Sequence, residues 1–147
     1  MRTLIILLGS LIICLLSCKG GAKEKPSGNK GEDCIRTVLS KDTSLGSKRN
    51  NECKEVSLST TIDRYVISLS GLDYSECPNL FTEAFKSHID AWVNMKQVTD
   101  SFPNLRGELH DLFDQIEGSK DSIVFKKLLA DVWSTWEIVE KESKVFE

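Results

Sequence analysis

Two histidines are the side chains of this chain best suited to ligate a metal or a haem iron. His88 lies in a run of apolar side chains spaced alternately by four and three residues, and Met95 follows two helical turns later. Histidine and methionine together can hold a haem iron. The two ligands should face each other across the iron, however, which two residues on one helix cannot easily do. We therefore predict that His88 is a hydrogen-bonded residue of the core.

His110 is surrounded in sequence by acidic side chains, and Asp114 lies one helical turn away from it. Imidazole and carboxylate groups bind divalent metals, so His110 and Asp114 are a candidate metal site. The chain has neither a His-Glu-x-x-His motif nor an EF-hand loop. Because acidic residues also cover ordinary solvent-exposed helices, we favour that interpretation and predict no cofactor.

Sequence motifs of catalysis are missing. The chain contains no Gly-x-Ser-x-Gly nucleophile motif and no glycine-rich phosphate-binding motif. Paired carboxylates are common, but they lie on the predicted solvent-exposed faces of helices. We therefore predict that the protein is not an enzyme.

The first 18 residues are organised like a secretion signal. Arg2 precedes an apolar run of about 13 residues, which is shorter than the roughly 20 residues that a membrane-spanning helix needs. The run ends in an apolar residue, a variable position, a small residue and a cysteine: Leu15, Leu16, Ser17 and Cys18. This segment resembles the signal peptide of bacterial lipoproteins, whose lipobox has those residue types in that order.

The resemblance implies that a peptidase removes residues 1–17 and that Cys18, as the new N-terminus, carries a diacylglyceryl group. Two or more acyl chains hold a small domain durably on a membrane. In enterobacterial-type envelopes an aspartate after the cysteine retains the protein at the inner membrane, so Lys19 favours the outer membrane. We expect a cell-envelope protein that is lipid-anchored to a bacterial membrane.

Residues 18–33 are predicted to form a flexible, basic tether. Residues 19–31 contain no large apolar side chain that could compensate the loss of chain entropy by burial. From Glu32 onward the chain has 14 Lys and Arg against 21 Asp and Glu, a net charge of −7. An acidic domain argues against a nucleic-acid partner, which would need a basic surface.

Three cysteines remain when Cys18 is acylated, namely Cys34, Cys53 and Cys77. Where disulfides persist, an odd number most simply gives one disulfide and one free thiol. We favour a disulfide between Cys34 and Cys53, which would close a polar loop over residues 34–55 and leave Cys77 as the free thiol. A bond between Cys53 and Cys77 is harder to build, because a predicted helix separates them.

Residues 56–147 show helical periodicity throughout. Four amphipathic segments lie at about 59–70, 78–100, 104–117 and 119–140. The connections between them are short, which favours antiparallel neighbours. We predict an all-α fold, a small antiparallel bundle of three to four helices, in which the second and fourth segments make the main contact.

Three tryptophans, Trp92, Trp133 and Trp136, are predicted to lie in or near the core of this bundle. Trp133 is the best candidate for exposure, because Leu129, Val132 and Trp136 already occupy the centre of the apolar face. An exposed tryptophan at the edge of a bundle indicates a partner surface.

These observations favour a non-catalytic lipoprotein that binds another protein of the cell envelope. An inhibitor or an immunity protein directed at a periplasmic enzyme is one version of this hypothesis. The alternative, from another functional class, is a periplasmic helical bundle that binds metal or haem through His88 or the acidic cluster around His110.

Overall fold

The computed structural model describes residues 29–144. The predicted signal peptide, Cys18 and the tether up to residue 28 lie outside the described residues. The described chain forms five helices and no β-strand, which confirms the prediction of an all-α fold. The helices are α1 (Lys30–Glu52), α2 (Leu58–Ser70), α3 (Asn79–Thr99), α4 (Leu109–Glu117) and α5 (Ser122–Lys144).

α1 occupies the stretch that was predicted to be a polar loop, so the prediction for residues 34–55 is wrong, and residues 30–33 of the predicted tether are helical as well. Its inward positions are spaced by three and four residues: Ile35, Val38, Asp42, Leu45 and Arg49. Polar side chains take two of these positions, and only Ile35 and Val38 are fully buried apolar residues. The helical periodicity of α1 is therefore hard to recognise as an apolar pattern.

A disulfide joins Cys34, near the start of α1, to Cys77, which lies next to the start of α3; their Cα atoms are 5.1 Å apart. The predicted disulfide between Cys34 and Cys53 is wrong, and so is the predicted free thiol at Cys77. Cys53 is the C-cap of α1, so a continuous helix of roughly 28 Å separates it from Cys34, whereas a disulfide spans Cα distances of up to about 7 Å. Cys53 is instead the free, buried cysteine of the described chain, and its Sγ lies 3.2 Å from Thr61 Oγ1.

The four predicted segments correspond to α2, α3, α4 and α5. α2 ends at Gly71, as the sequence predicts. α4 begins at Leu109, about five residues later than predicted. Gly107 has a φ of 155°, and its N–H donates to the carbonyl oxygen of Cys53 at 2.9 Å. Residues 104–108 are therefore held in a non-helical conformation against the end of α1.

α3 is the central helix of the bundle. It packs against α2 and against α5, and its contact with α5 is the most extensive in the structure, which confirms the predicted main contact. α1 packs on α2, and α4 packs on α5. The largest fully buried side chains at the centre are Phe81, Phe85, Phe125, Leu58, Ile62 and Leu69. None of the helices between residues 29 and 144 has the length and hydropathy that crossing a bilayer requires.

Candidate functional site

A groove of about 280 Å³ lies between α1 and α5, which make no extensive contact with each other. We call it the α1–α5 groove. One wall belongs to α1, the other to α5, and side chains of α2 and α3 form the floor together with one residue of α1. The residues that line it are Asp42, Thr43, Gly46, Ser47, Arg49, Asn50, Tyr65, His88, Trp92, Val132, Trp133 and Trp136.

The α1 wall is polar and open. Asp42, Gly46 and Asn50 recur at intervals of four residues, so they lie along one face of the helix. A Cβ atom added to Gly46 would meet nothing within 4 Å. The wall therefore offers hydrogen-bonding groups to a ligand and does not block its approach.

The α5 wall is aromatic. Trp133 is 60% exposed, which confirms the predicted exposure of this tryptophan. Trp136 is half-buried: its ring lies 5.1 Å from the ring of His88, and its Nε1 donates to Glu140 Oε1 at 3.0 Å. The two indoles give the groove an apolar side opposite its polar side.

Arg49 occupies the floor of the groove, and aromatic rings hold its guanidinium. The guanidinium carbon lies 4.0 Å from the centroid of the Trp92 ring and 4.6 Å from that of Tyr65, so it makes a cation–π contact with each. Nε and Nη2 both donate to Oδ1 of Asn50, at 3.2 and 3.1 Å. Nη1 is buried and has no hydrogen-bond partner. Burial lowers the pKa of Arg49 from its usual value.

Asp42 is the acidic residue of the groove. Its Oδ1 accepts a hydrogen bond from the phenol of Tyr65 at 2.5 Å. Burial raises the pKa of Asp42, and the hydrogen bond from Tyr65 and the charge of Arg49 offset this only in part. Burial and the neighbouring Asp42 also raise the pKa of Tyr65, which keeps the phenol protonated as the donor.

His88 is a hydrogen-bonded core residue, as the sequence predicts. It is only 4% exposed. Trp92 Nε1 can only donate, so His88 Nε2, at 3.1 Å, must accept. The neutral ring then carries its proton on Nδ1, which lies 3.1 Å from Thr135 Oγ1. Burial lowers the pKa of His88 to about 4, so the ring is neutral at neutral pH.

This hydrogen-bonding network leaves His88 poorly suited to ligate a metal or a haem. An imidazole binds a metal through an unprotonated ring nitrogen, and the unprotonated nitrogen of His88 accepts the proton of Trp92. Met95, the second residue of the hypothetical haem pair, is fully buried on the same helix.

His110 and Asp114 lie on α4, outside the groove. Glu108 caps this helix, since its carboxylate accepts hydrogen bonds from the backbone N–H groups of His110 and Asp111. The same carboxylate lies 3.0 Å from Nδ1 of His110, whose side chain is exposed. Between residues 29 and 144 no three His, Cys, Asp or Glu side chains are placed together as metal ligands. The predicted acidic cluster is therefore spread over the helix surface.

The sequence patterns do not single out three residues that build the groove: Asp42, Arg49 and Tyr65. Asp42 and Arg49 are seven residues apart and lie in register with Ile35 and Val38 of α1. This spacing of three and four residues is the sequence signal for Asp42 and Arg49. It can be recognised only if polar side chains are allowed at inward-facing positions of a helix.

No protein-family model, no curated protein and no solved structure matches the chain.

Proposed function

We propose that this protein is a lipid-anchored binding module of the bacterial cell envelope and that it contacts an envelope protein through the α1–α5 groove. The lipobox at residues 15–18 supports the anchor. The observation that carries the binding function is the exposed indole of Trp133 beside a polar helix face. Exposed aromatic side chains at the rim of a cleft are typical of the residues that dominate protein interfaces.

Trp133 differs from an ordinary surface residue in the size of the side chain that it exposes to water. An indole is the largest side chain a protein has, and leaving most of it in water forgoes a substantial gain from burial. Trp92 and Trp136 on the same groove are buried or half-buried. The exposed indole therefore supports a surface that a partner covers.

Among the residues that the structure describes, the surroundings of His88 bear on the non-catalytic part of the proposal. General-base catalysis needs a titratable group within reach of a nucleophile, with a pKa near the working pH. His88 uses its unprotonated nitrogen for Trp92, and burial lowers its pKa to about 4.

Metabolic labelling with a radioactive fatty acid, combined with affinity purification from solubilised envelopes, tests both parts. We expect the wild type to carry label and Cys18→Ala to carry none. We expect Trp133→Ala to lose its stoichiometric partner, whereas Ile138→Ala keeps it, since Ile138 is also exposed on α5 but does not line the groove. Equal partner recovery with both variants would contradict the use of the groove.

A further inference from the structure

The α1–α5 groove contains two charged side chains, Asp42 on its α1 wall and Arg49 at its floor. The rings of Trp92 and Tyr65 contact the guanidinium of Arg49. Two of its nitrogens donate to Asn50, and the third, Nη1, is buried away from solvent. Packing on the rings and hydrogen bonds to Asn50 therefore hold the guanidinium of Arg49 at the floor, and Asp42 is the acidic group that the α1 wall presents.

Asp42 retains unused hydrogen-bonding capacity. A carboxylate can accept about four hydrogen bonds, and within the described chain Asp42 accepts one, from Tyr65. No Lys, Arg or His nitrogen between residues 29 and 144 lies within 4.0 Å of its oxygens. Burial raises the pKa of Asp42, and the hydrogen bond from Tyr65 and the charge of Arg49 offset this only in part.

The opposite wall supplies the second half of a cation site. Indole rings attract cations through their negative faces, and arginine is the most frequent partner. The groove already contains one such contact, between the guanidinium of Arg49 and the ring of Trp92 at 4.0 Å. Trp133 presents a similar ring to solvent with no cation on it among the residues that the structure describes.

We propose that the α1–α5 groove takes one arginine or lysine side chain from a basic surface of a partner protein, with the cation against the indole of Trp133 and hydrogen-bonded to the carboxylate of Asp42. This inference rests on the proposed function and names the chemistry of the partner. The net charge of −7 over residues 32–147 acts in the same direction, because it attracts a basic surface at long range.

The test uses two capped tripeptides, Gly-Arg-Gly and Gly-citrulline-Gly, which have the same shape but differ by one charge. Binding is followed through the NMR signals of the indole N–H groups. We expect the arginine peptide to shift the Trp133 signal saturably and the citrulline peptide to bind about fivefold more weakly. Asp42→Asn and Trp133→Ala should each weaken the arginine peptide by about the same factor, and Ile138→Ala should not change it.

Three results would overturn the inference. The first is equal affinity for the two peptides, and the second is no shift with either. The third is a larger shift with a neutral sugar such as chitobiose than with the arginine peptide, which would assign the groove to saccharides. Because Asn can still accept a hydrogen bond from Tyr65, Asp42→Asn should fold, and a thermal unfolding curve verifies this.

The two proposals fail in different experiments. If Trp133→Ala loses the envelope partner but the peptides show no preference for arginine, the binding module stands and the cation site is wrong. If the peptides bind as expected but no partner depends on Trp133, the cation site stands and the proposed function is wrong.

Discussion

The disulfide between Cys34 and Cys77 joins the beginning of α1 to the beginning of α3 across 43 residues of sequence. It fixes a helix that has only two fully buried apolar side chains of its own, Ile35 and Val38. α1 is also attached through the partly buried Leu39 and Leu45 and through polar contacts, among them Asp42 to Tyr65 and the cation–π contacts of Arg49. The disulfide thus adds a covalent link to the packing and polar contacts that hold α1, the helix that forms one wall of the groove.

Reduction of this disulfide should therefore destabilise the domain. Closing a loop of this length is worth about 4 kcal/mol in the chain-entropy description. We expect a urea unfolding midpoint that falls when a reductant is added. The Cys34→Ser/Cys77→Ser double variant should already have the lower midpoint and should not respond to the reductant. A wild-type midpoint that is unchanged by the reductant would contradict the role of the disulfide.

His88 should make the domain less stable in acid. Its pKa is about 4 in the folded state and about 6.5 when it is unfolded, so the unfolded state binds more protons between these values. The free energy of unfolding therefore falls as the pH decreases from about 6.5 to about 4, by up to about 3 kcal/mol.

The measurement is urea unfolding at a series of pH values, and the control is His88→Gln, which has no titratable ring. The difference in unfolding free energy between wild type and His88→Gln should shift in favour of the variant as the pH falls. A difference that is independent of pH over this range would contradict the neutral, buried histidine.

Arg49→Lys should destabilise the domain although it keeps the charge. A lysine ammonium is compact and cannot lie flat over the rings of Tyr65 and Trp92 or donate twice to Asn50. We expect a loss of about 1–2 kcal/mol in unfolding free energy. The neighbouring exposed Lys48→Arg is the control, with an expected change below about 0.5 kcal/mol. Equal effects of the two substitutions would show that the ring contacts contribute nothing.

Trp133→Ala should leave stability nearly unchanged, and Trp92→Ala should lower it strongly. Trp133 is mostly in water, whereas Trp92 is buried and touches His88, Tyr65 and Arg49. Thermal or urea unfolding should give a change below about 0.5 kcal/mol for Trp133→Ala and a loss of about 3–5 kcal/mol for Trp92→Ala. A large loss for Trp133→Ala would mean that this indole belongs to the core.

The sequence predicted the parts of the fold that follow from an apolar pattern. α2, α3 and α5 carry enough apolar residues at helical spacing to be recognised. The exposure of Trp133 could be predicted because other apolar side chains of α5 already occupy the centre of its apolar face. α1 was not recognised, because Asp42 and Arg49 occupy inward positions that are usually apolar. The wrong prediction of the disulfide pairing has the same origin. A loop between Cys34 and Cys53 could bring the two cysteines together, whereas the helix α1 holds them apart.

The groove could not be predicted for a related reason. It is formed by side chains of four helices, and its polar floor depends on contacts between residues far apart in sequence, such as Asp42 with Tyr65 and His88 with Thr135. Periodicity places a residue on a helix face but does not say which helix lies opposite. His88 was predicted correctly as a core residue, but its partners became known only from the structure.

Photo-crosslinking in intact cells tests most directly whether this groove is the binding surface of a lipid-anchored protein. A photo-reactive amino acid is placed at Ser47, on the α1 wall of the groove, and in a second variant at Ile67, which is 70% exposed on α2 and lies outside the groove. We predict one discrete adduct with an envelope protein from position 47, none from position 67, and loss of the adduct in Cys18→Ala. The same adducts from both positions, or none from position 47 in the acylated protein, would contradict it.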